Sequence, residues 1–539
     1  MKKLILVASV LSYALSASNV FASHVGENEL TLVTRDLLAH VRQLQNAQSA
    51  ERTHQVDAIL EIIEKRKSML LEMLNDRPDV AMKLLLPQEV LSGFPPEIKE
   101  LLEAPFEGGG ALEVLIFTDF KMRVSKTLYN LKDGDSRYEL HFVKDPTSLL
   151  TGSIIRVRGI KIDSHLLMES GQVLAAGGTG TTTVVAAATS ASGDQKTIVM
   201  QGSFTDKPAV FTNAAIEDFM FYSASSASIN HFYNENSFGA VSFLGERNGG
   251  IGKVVGPFPI NYALTGSCDY FGYQSALNAA ATSAGIDLSP YTRRVYVVPH
   301  ATSCGLWAGL AYMGGNSAWI FGNSGSSTFA HELGHNLGMD HASRVFLNPA
   351  STLSYGEYGD ESDVMGSGSS LPHVNAPHKI QVGWIPSGRV QNLSAKGSYT
   401  YNISLLETTD GSALQAIKIP KANTSDSYYF SFRKPVGRDA LQTLNFEPFL
   451  NRLSVHRWRG YWQTFQIYPY VLGDGESFKE GDSGITVIQV SHNATSAQVA
   501  VSITDPFCAK LAPTIERNSP FSTRRVTSLS TWISESPDP

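Results

Sequence analysis

Residues 331–341 read H-E-L-G-H-N-L-G-M-D-H, and this stretch restricts the chain more than any other. Three histidines recur at steps of four and six residues, and Glu332 follows the first. On a helix, His331 and His335 sit one turn apart on one face, so both imidazoles can reach one ion. Gly338 can take the left-handed conformation that ends a helix, which lets His341 return to the same ion from another side. Three neutral nitrogen donors leave a fourth tetrahedral position for water, the pattern of a catalytic rather than a structural zinc. Glu332 is placed to act on that water as a general base. Asp340 is a rival third ligand, but the spacing favours His341.

Downstream lies Asp363-Val364-Met365-Gly366, preceded by Tyr355-Gly356-Glu357-Tyr358-Gly359-Asp360 and followed by Asn375-Ala376-Pro377 and Gly383-Trp384. With the H-E-x-x-H-x-x-G-x-x-H pattern, this resembles the metzincin metallopeptidases, and within them the gametolysin-like family. The run from Ser228 to Gly239 resembles a helix-to-loop signature of the same group. The resemblance implies a catalytic domain of twisted sheet, zinc helix and methionine turn. It also implies one zinc ion on His331, His335 and His341, Glu332 as the catalytic residue, and Met365 as a structural residue beneath the metal. Some metzincins place a tyrosine two residues after the methionine to hold the oxyanion. Here that position is Ser367, and Tyr355 or Tyr358 are the substitutes if the fold brings them close. The chain is therefore identified as a zinc metalloendopeptidase acting on proteins or peptides.

At 539 residues several cores are needed. The expected fold is multidomain α+β. Residues 1–22 read as a signal peptide, with basic Lys2 and Lys3, an apolar stretch from Leu4 to Leu15, and Val20-Phe21-Ala22 as the cut site. That segment is too short for a stable membrane span, so a secreted, extracellular protein without a membrane anchor is expected. Residues 23–104 repeat Leu30, Val33, Leu37, Val41 and Leu44 at helical steps, which suits a helical propeptide that keeps a zymogen latent. Latency through a cysteine is excluded there, because the first cysteine is Cys268.

Residues 105–176 alternate as strands and read as a small β-domain, with closure into a barrel as one option. Residues 177–193 read as a linker and processing point, 194–386 as the catalytic domain, 387–505 as a β-sandwich and 506–539 as a tail. Within the catalytic domain, Ser326, Ser327 or Thr328 is expected to cap the zinc helix, and a Cys268–Cys304 bridge is expected. Trp458, Tyr461 and Trp462 are candidates for protein or glycan contact by the C-terminal β-domain. Asp474 and Asp482, in Gly-rich turns, are candidates for calcium. A net charge of −7 with no basic stripe argues against nucleic acid. Two other classes fit the zinc motif: a secreted adhesion protein with an incidental zinc site, and a zinc amidase that does not cut peptides.

Overall fold

The computed structural model describes residues 27–46, 49–144, 146, 149–168, 173–175, 191–222, 228–264, 268–300, 302–347, 353–366, 371–409, 411–441, 447–460, 463–506 and 514–516. The signal segment 1–22, residues 177–190, Ser367, Tyr461, Trp462 and Cys508 lie outside them. Among the described residues no helix is long and apolar enough to cross a membrane. The chain divides into two compact units, one built from residues up to 233 with 240–340, the other from 234–239 with 341 onward.

The first unit opens with a helical hairpin, α1 (Glu27–Asn46) and α2 (Ser49–Asp76). The apolar repeat forms its seam: Leu30, Leu37, Val41, Leu44, Ile59 and Ile63 are all buried. Three short helices follow, α3 (Pro78–Lys83), α4 (Gln88–Leu91) and α5 (Pro96–Lys99). Pro96 starts α5, since a proline at the first helical position loses no hydrogen bond. The buried Arg66 guanidinium of α2 grips the Glu103 carboxylate with two hydrogen bonds of 2.6 and 2.7 Å. This pair fixes the residue from which the first strand departs.

That strand, β1 (Ala104–Asp119), is sixteen residues long. Its first half pairs with β4 (Ile154–Ile162), and its second half with β2 (Val124–Asp133). β2 pairs with β3 (Ser136–Phe142), β3 with β5 (His165–Met168), and β5 with β4, which closes a five-stranded barrel. The short β6 (Val173–Ala175) extends β4. A two-residue pair, β7 (Gly193–Asp194) with β9 (Val241–Ser242), follows the undescribed stretch.

The remaining strands of this unit are β8 (Thr197–Phe204), β10 (Lys253–Ile260), β11 (Arg293–Val298), β12 (Gly309–Tyr312) and β13 (Ser317–Phe321). They run in the order β10-β8-β11-β13-β12, and β1 is hydrogen-bonded beyond β12. β12 is antiparallel to both its neighbours, whereas β10, β8, β11 and β13 are mutually parallel. The sheet thus does not stop between the expected 105–176 and 194–386 domains. Strand alternation makes this possible, since successive side chains point to opposite faces. Leu112, Val114 and Ile116 fill the barrel core, while Leu115 and Phe117 enter the other core with Met200, Tyr296, Leu310 and Trp319.

Helices α6 (Asn213–Glu217), α8 (Tyr270–Ser283) and α9 (Ser326–Asn336) pack on this sheet, and α7 (Ile229–Asn236) runs through the unit boundary. The expected Cys268–Cys304 disulfide is formed.

The second unit holds two sheets. One runs β15-β14-β21-β20-β19-β18-β16, the other β17-β24-β23-β22-β25. The first comprises β14 (Ala342–Leu347), β15 (Leu353–Gly356), β16 (Val390–Asn392), β18 (Ala416–Pro420), β19 (Ser427–Arg433), β20 (Arg452–Trp458) and β21 (Thr464–Leu472). The second comprises β17 (Gly397–Ser404), β22 (Ser477–Glu480), β23 (Ile485–His492), β24 (Ser496–Ile503) and β25 (Thr514–Glu516). Phe430 and Leu453 of the first share one apolar core with Phe478, Val487 and Val499 of the second. β14 and β15 lie upstream of residue 387, so the larger sheet begins directly after His341. Helix α10 (Ala376–Gln381) is capped by the Asn375 side chain. Trp458 is buried against Tyr429 rather than exposed. Asp474 accepts hydrogen bonds from Gln489 and His492, and among the described residues neither Asp474 nor Asp482 joins a cluster of three His, Cys, Asp or Glu side chains.

Candidate metal centre

Helix α9 carries His331 and His335 on one face, as the four-residue step requires. Its N-cap is Gly325, with no side-chain cap bond, so none of Ser326, Ser327 and Thr328 fills the capping role. At the other end Gly338 takes φ of +97°. The Gly338 N–H bonds the His335 carbonyl and the Met339 N–H bonds the Gly334 carbonyl, at 2.9 and 3.0 Å, which is a Schellman ending. The Asn336 amide donates to the carbonyls of Tyr312 and Ser317, tying the helix end to the β12–β13 hairpin.

The turn returns the chain so that one ligand atom from each of His331, His335 and His341 lies within 4.8 Å of the others. All three are buried. His335 Nδ1–H donates to the Met339 carbonyl at 2.8 Å, and His341 Nδ1–H donates to a Glu357 carboxylate oxygen at 2.7 Å. Each bond fixes the tautomer and leaves Nε2 with its lone pair, the usual outer support of a metal-bound histidine. Asp340, the rival ligand, is not in the cluster. His373 bonds Glu235 and His378 bonds Asp363, both at 2.7 Å, so these two serve other networks.

Glu332 is fully buried, and burial lifts its carboxyl well above the usual range, with the Thr118 hydroxyl beside it opposing. Neither carboxylate oxygen makes a hydrogen bond of normal geometry. Gly309 on β12 is part of the reason the side chain fits: a Cβ there would meet a Glu332 oxygen at 2.3 Å. Three converging imidazoles and a buried carboxyl group without a hydrogen bond of normal geometry suit a divalent metal with a polar ligand between them. Phe120, just past β1, meets the His331 ring edge-on at 4.8 Å.

Met365 is buried in a turn whose backbone is held by Asp363 and Ala342. Asp363 also accepts from the Asn375 N–H at 2.7 Å. Asp360 binds His456 at 2.9 Å and Ser362. Burial pushes its carboxyl up, but those bonds and the Arg433 charge pull it well below the ordinary range. Tyr358 sits at φ of +54° with its ring 4.4 Å from that of His341. Tyr355 instead hydrogen-bonds Glu357 and Gln463.

Sequence reasoning did not assign Glu357, Thr118, Phe120 or Gly309. Glu357 stands inside the Tyr355–Asp360 run, but nothing in its spacing links it to His341.

No curated protein matches the chain. The Gametolysin peptidase M11 family model matches residues 195–471, more than half of the chain. The match begins beside β8, takes in the three histidines and the methionine turn, and runs on into β21. With that span and the histidine cluster inside it, the chain belongs to the gametolysin M11 peptidases.

Proposed function

We propose that this chain is a secreted zinc-dependent endopeptidase of extracellular proteins, made in a latent form. The convergence of three imidazole nitrogens within 4.8 Å, in a member of a peptidase family, carries the reading. The donor set suits zinc, held by His331, His335 and His341. When bound there, zinc supplies Lewis-acid polarisation of the scissile carbonyl and a more acidic water. Glu332 takes the proton from the attacking water and passes it to the leaving nitrogen. Its buried position supports this role, because a carboxyl in a dry pocket readily holds a proton. Tyr358, packed on His341, is the candidate for steadying the developing oxyanion.

Latency is supported by the placement of β1. An extended peptide binds a sheet by adding a strand to its edge. The free side of β12, next to Glu332, is taken by β1, with Leu115 opposite Tyr312 and Thr118 opposite Gly309. Thr118 and Phe120 then cover Glu332 and His331. On this reading residues 23–176, helices and barrel together, act as one leader, which inhibits by steric cover and needs no cysteine. Secretion is supported by the basic start, apolar stretch and cleavage site within residues 1–22.

The test is Glu332→Gln in the processed protein. It should retain one zinc per active site and lose casein cleavage, and the parent's cleavage should stop with a zinc chelator. Cleavage by the Gln variant at the parent's rate rejects the mechanism.

A further inference from the structure

We propose that Glu139, His141 and His165 form a second divalent-metal site, on the outer face of the leader barrel. One ligand atom from each lies within 4.8 Å of the others. Register explains the convergence. Glu139 and His165 are directly paired across parallel strands β3 and β5, and His141 is two residues further along β3. Alternation puts all three on the same face. The intervening Leu140 and Leu166 fill the barrel core, so the three polar side chains point outward, toward the end of α2.

The spacing is that of a coordination shell. His141 Nε2 lies 2.9 Å from His165 Nδ1 and 3.6 Å from a Glu139 oxygen, and His165 Nδ1 lies 3.9 Å from the other oxygen. Tetrahedral ligands at about 2.0–2.1 Å from zinc stand roughly 3.3 Å apart. His141 Nδ1–H donates to the Leu74 carbonyl at 3.1 Å, so its Nε2 lone pair faces the cluster. That is the outer hydrogen bond of a ligating histidine. Without metal, His165 Nδ1–H donates to His141 Nε2. With metal, the His165 proton moves to Nε2, both lone pairs turn to the ion, and no net proton is released.

The charges agree with a cation. Burial pulls both imidazoles below the ordinary histidine range, His141 down to about 4. The groups facing them from neighbouring elements are Glu139, Asp163 and Lys126, a net negative set. His165 and Glu139 keep about a quarter of their side-chain surface, 23% and 24%, which leaves an entry path and room for water as a fourth ligand. His141 is buried and anchored to α2, so the ion braces the hairpin against the barrel. The site is separate from the α9 histidines and does not depend on the function assigned to them.

The experiment is metal counting on the full chain after zinc loading and desalting. The parent should hold two zinc ions per chain, His165→Ala one, and the His331→Ala/His335→Ala double variant one. The triple variant should hold none. Circular dichroism confirms folding, and His165→Gln replaces the alanine variant if that fails to fold. Cobalt loading of the double variant gives a second readout: a visible absorption band that disappears with His165→Ala. Equal zinc content with and without His165, including trace binding by an adventitious ion only, overturns the proposal. So does a double variant that holds no zinc while folded.

Discussion

Glu357→Ala tests whether the metal centre is built as its hydrogen bonds indicate. The Glu357 carboxylate accepts His341 Nδ1–H at 2.7 Å and is largely buried, with 12% of its side chain exposed. A hydrogen bond to a charged group contributes about 1.5–3 kcal/mol net. At about 1.4 kcal/mol per factor of ten, its loss weakens zinc binding roughly tenfold to a hundredfold. Outer-shell partners of metal-binding histidines show losses of about that size. Glu357→Gln keeps an acceptor oxygen but drops the charge, so it should lose about half of that free energy. Gln463 donates to both Glu357 oxygens at 3.1 Å, so it acts on His341 through that carboxylate. Gln463→Ala should therefore cost less than either. Competition with a coloured chelator measures the affinities, in a Glu332→Gln background to prevent self-cleavage. Glu357→Ala binding zinc within about twofold of its parent, while folded, refutes the supporting role.

Four further outcomes are expected. A site-specific cleavage sequence placed within residues 177–190, followed by removal of the leader, should raise peptide turnover at least about tenfold, because a tethered strand competes at effective millimolar concentration. Unchanged turnover counts against latency. Tyr358→Phe should lower kcat about tenfold to a hundredfold with little change in KM if its hydroxyl steadies the oxyanion; a pure KM effect argues for packing alone. Replacing Cys268 and Cys304 together by alanine should cost about 4 kcal/mol, from closing a loop of 36 residues, seen as a lower denaturation midpoint. Asp360 has a folded carboxyl held below its unfolded value, so its stabilisation is full above the ordinary carboxylate range and fades as pH falls through and below about 4. Asp360→Asn should lose on the order of 2–4 kcal/mol at pH 7 and somewhat less at about pH 3, the difference shrinking further as pH falls toward the folded value, by urea titration at each pH.

Much of this molecule is legible from local pattern. Helical period alone puts His331 and His335 on one face, and a glycine at 338 alone permits the return to His341. The apolar steps from Leu30 to Leu44 mark the hairpin seam because a helix repeats every 3.6 residues. The strand runs at 112–117 and 154–160 show the period of two. These signals are carried by residues close in sequence, so no partner is needed to read them.

What escaped the sequence depends on pairing between distant segments. Alternation says that Leu112 to Phe117 is a strand, but it cannot say that one face belongs to the barrel and the other to the peptidase core. Backbone hydrogen bonding is the same for every residue type, so nothing in β1 names β12 as its neighbour. Register alone brings Glu139 beside His165, and a turn 16 residues downstream brings Glu357 to His341. The motif from His331 to His341 determined that the chain could hold a catalytic metal. Tertiary structure decided that His335 is oriented by Met339 and His341 by Glu357, and that Phe120, at the end of β1, packs against His331. Ligand identity is a property of residues, whereas orientation and access come from long-range pairing that only the folded chain contains.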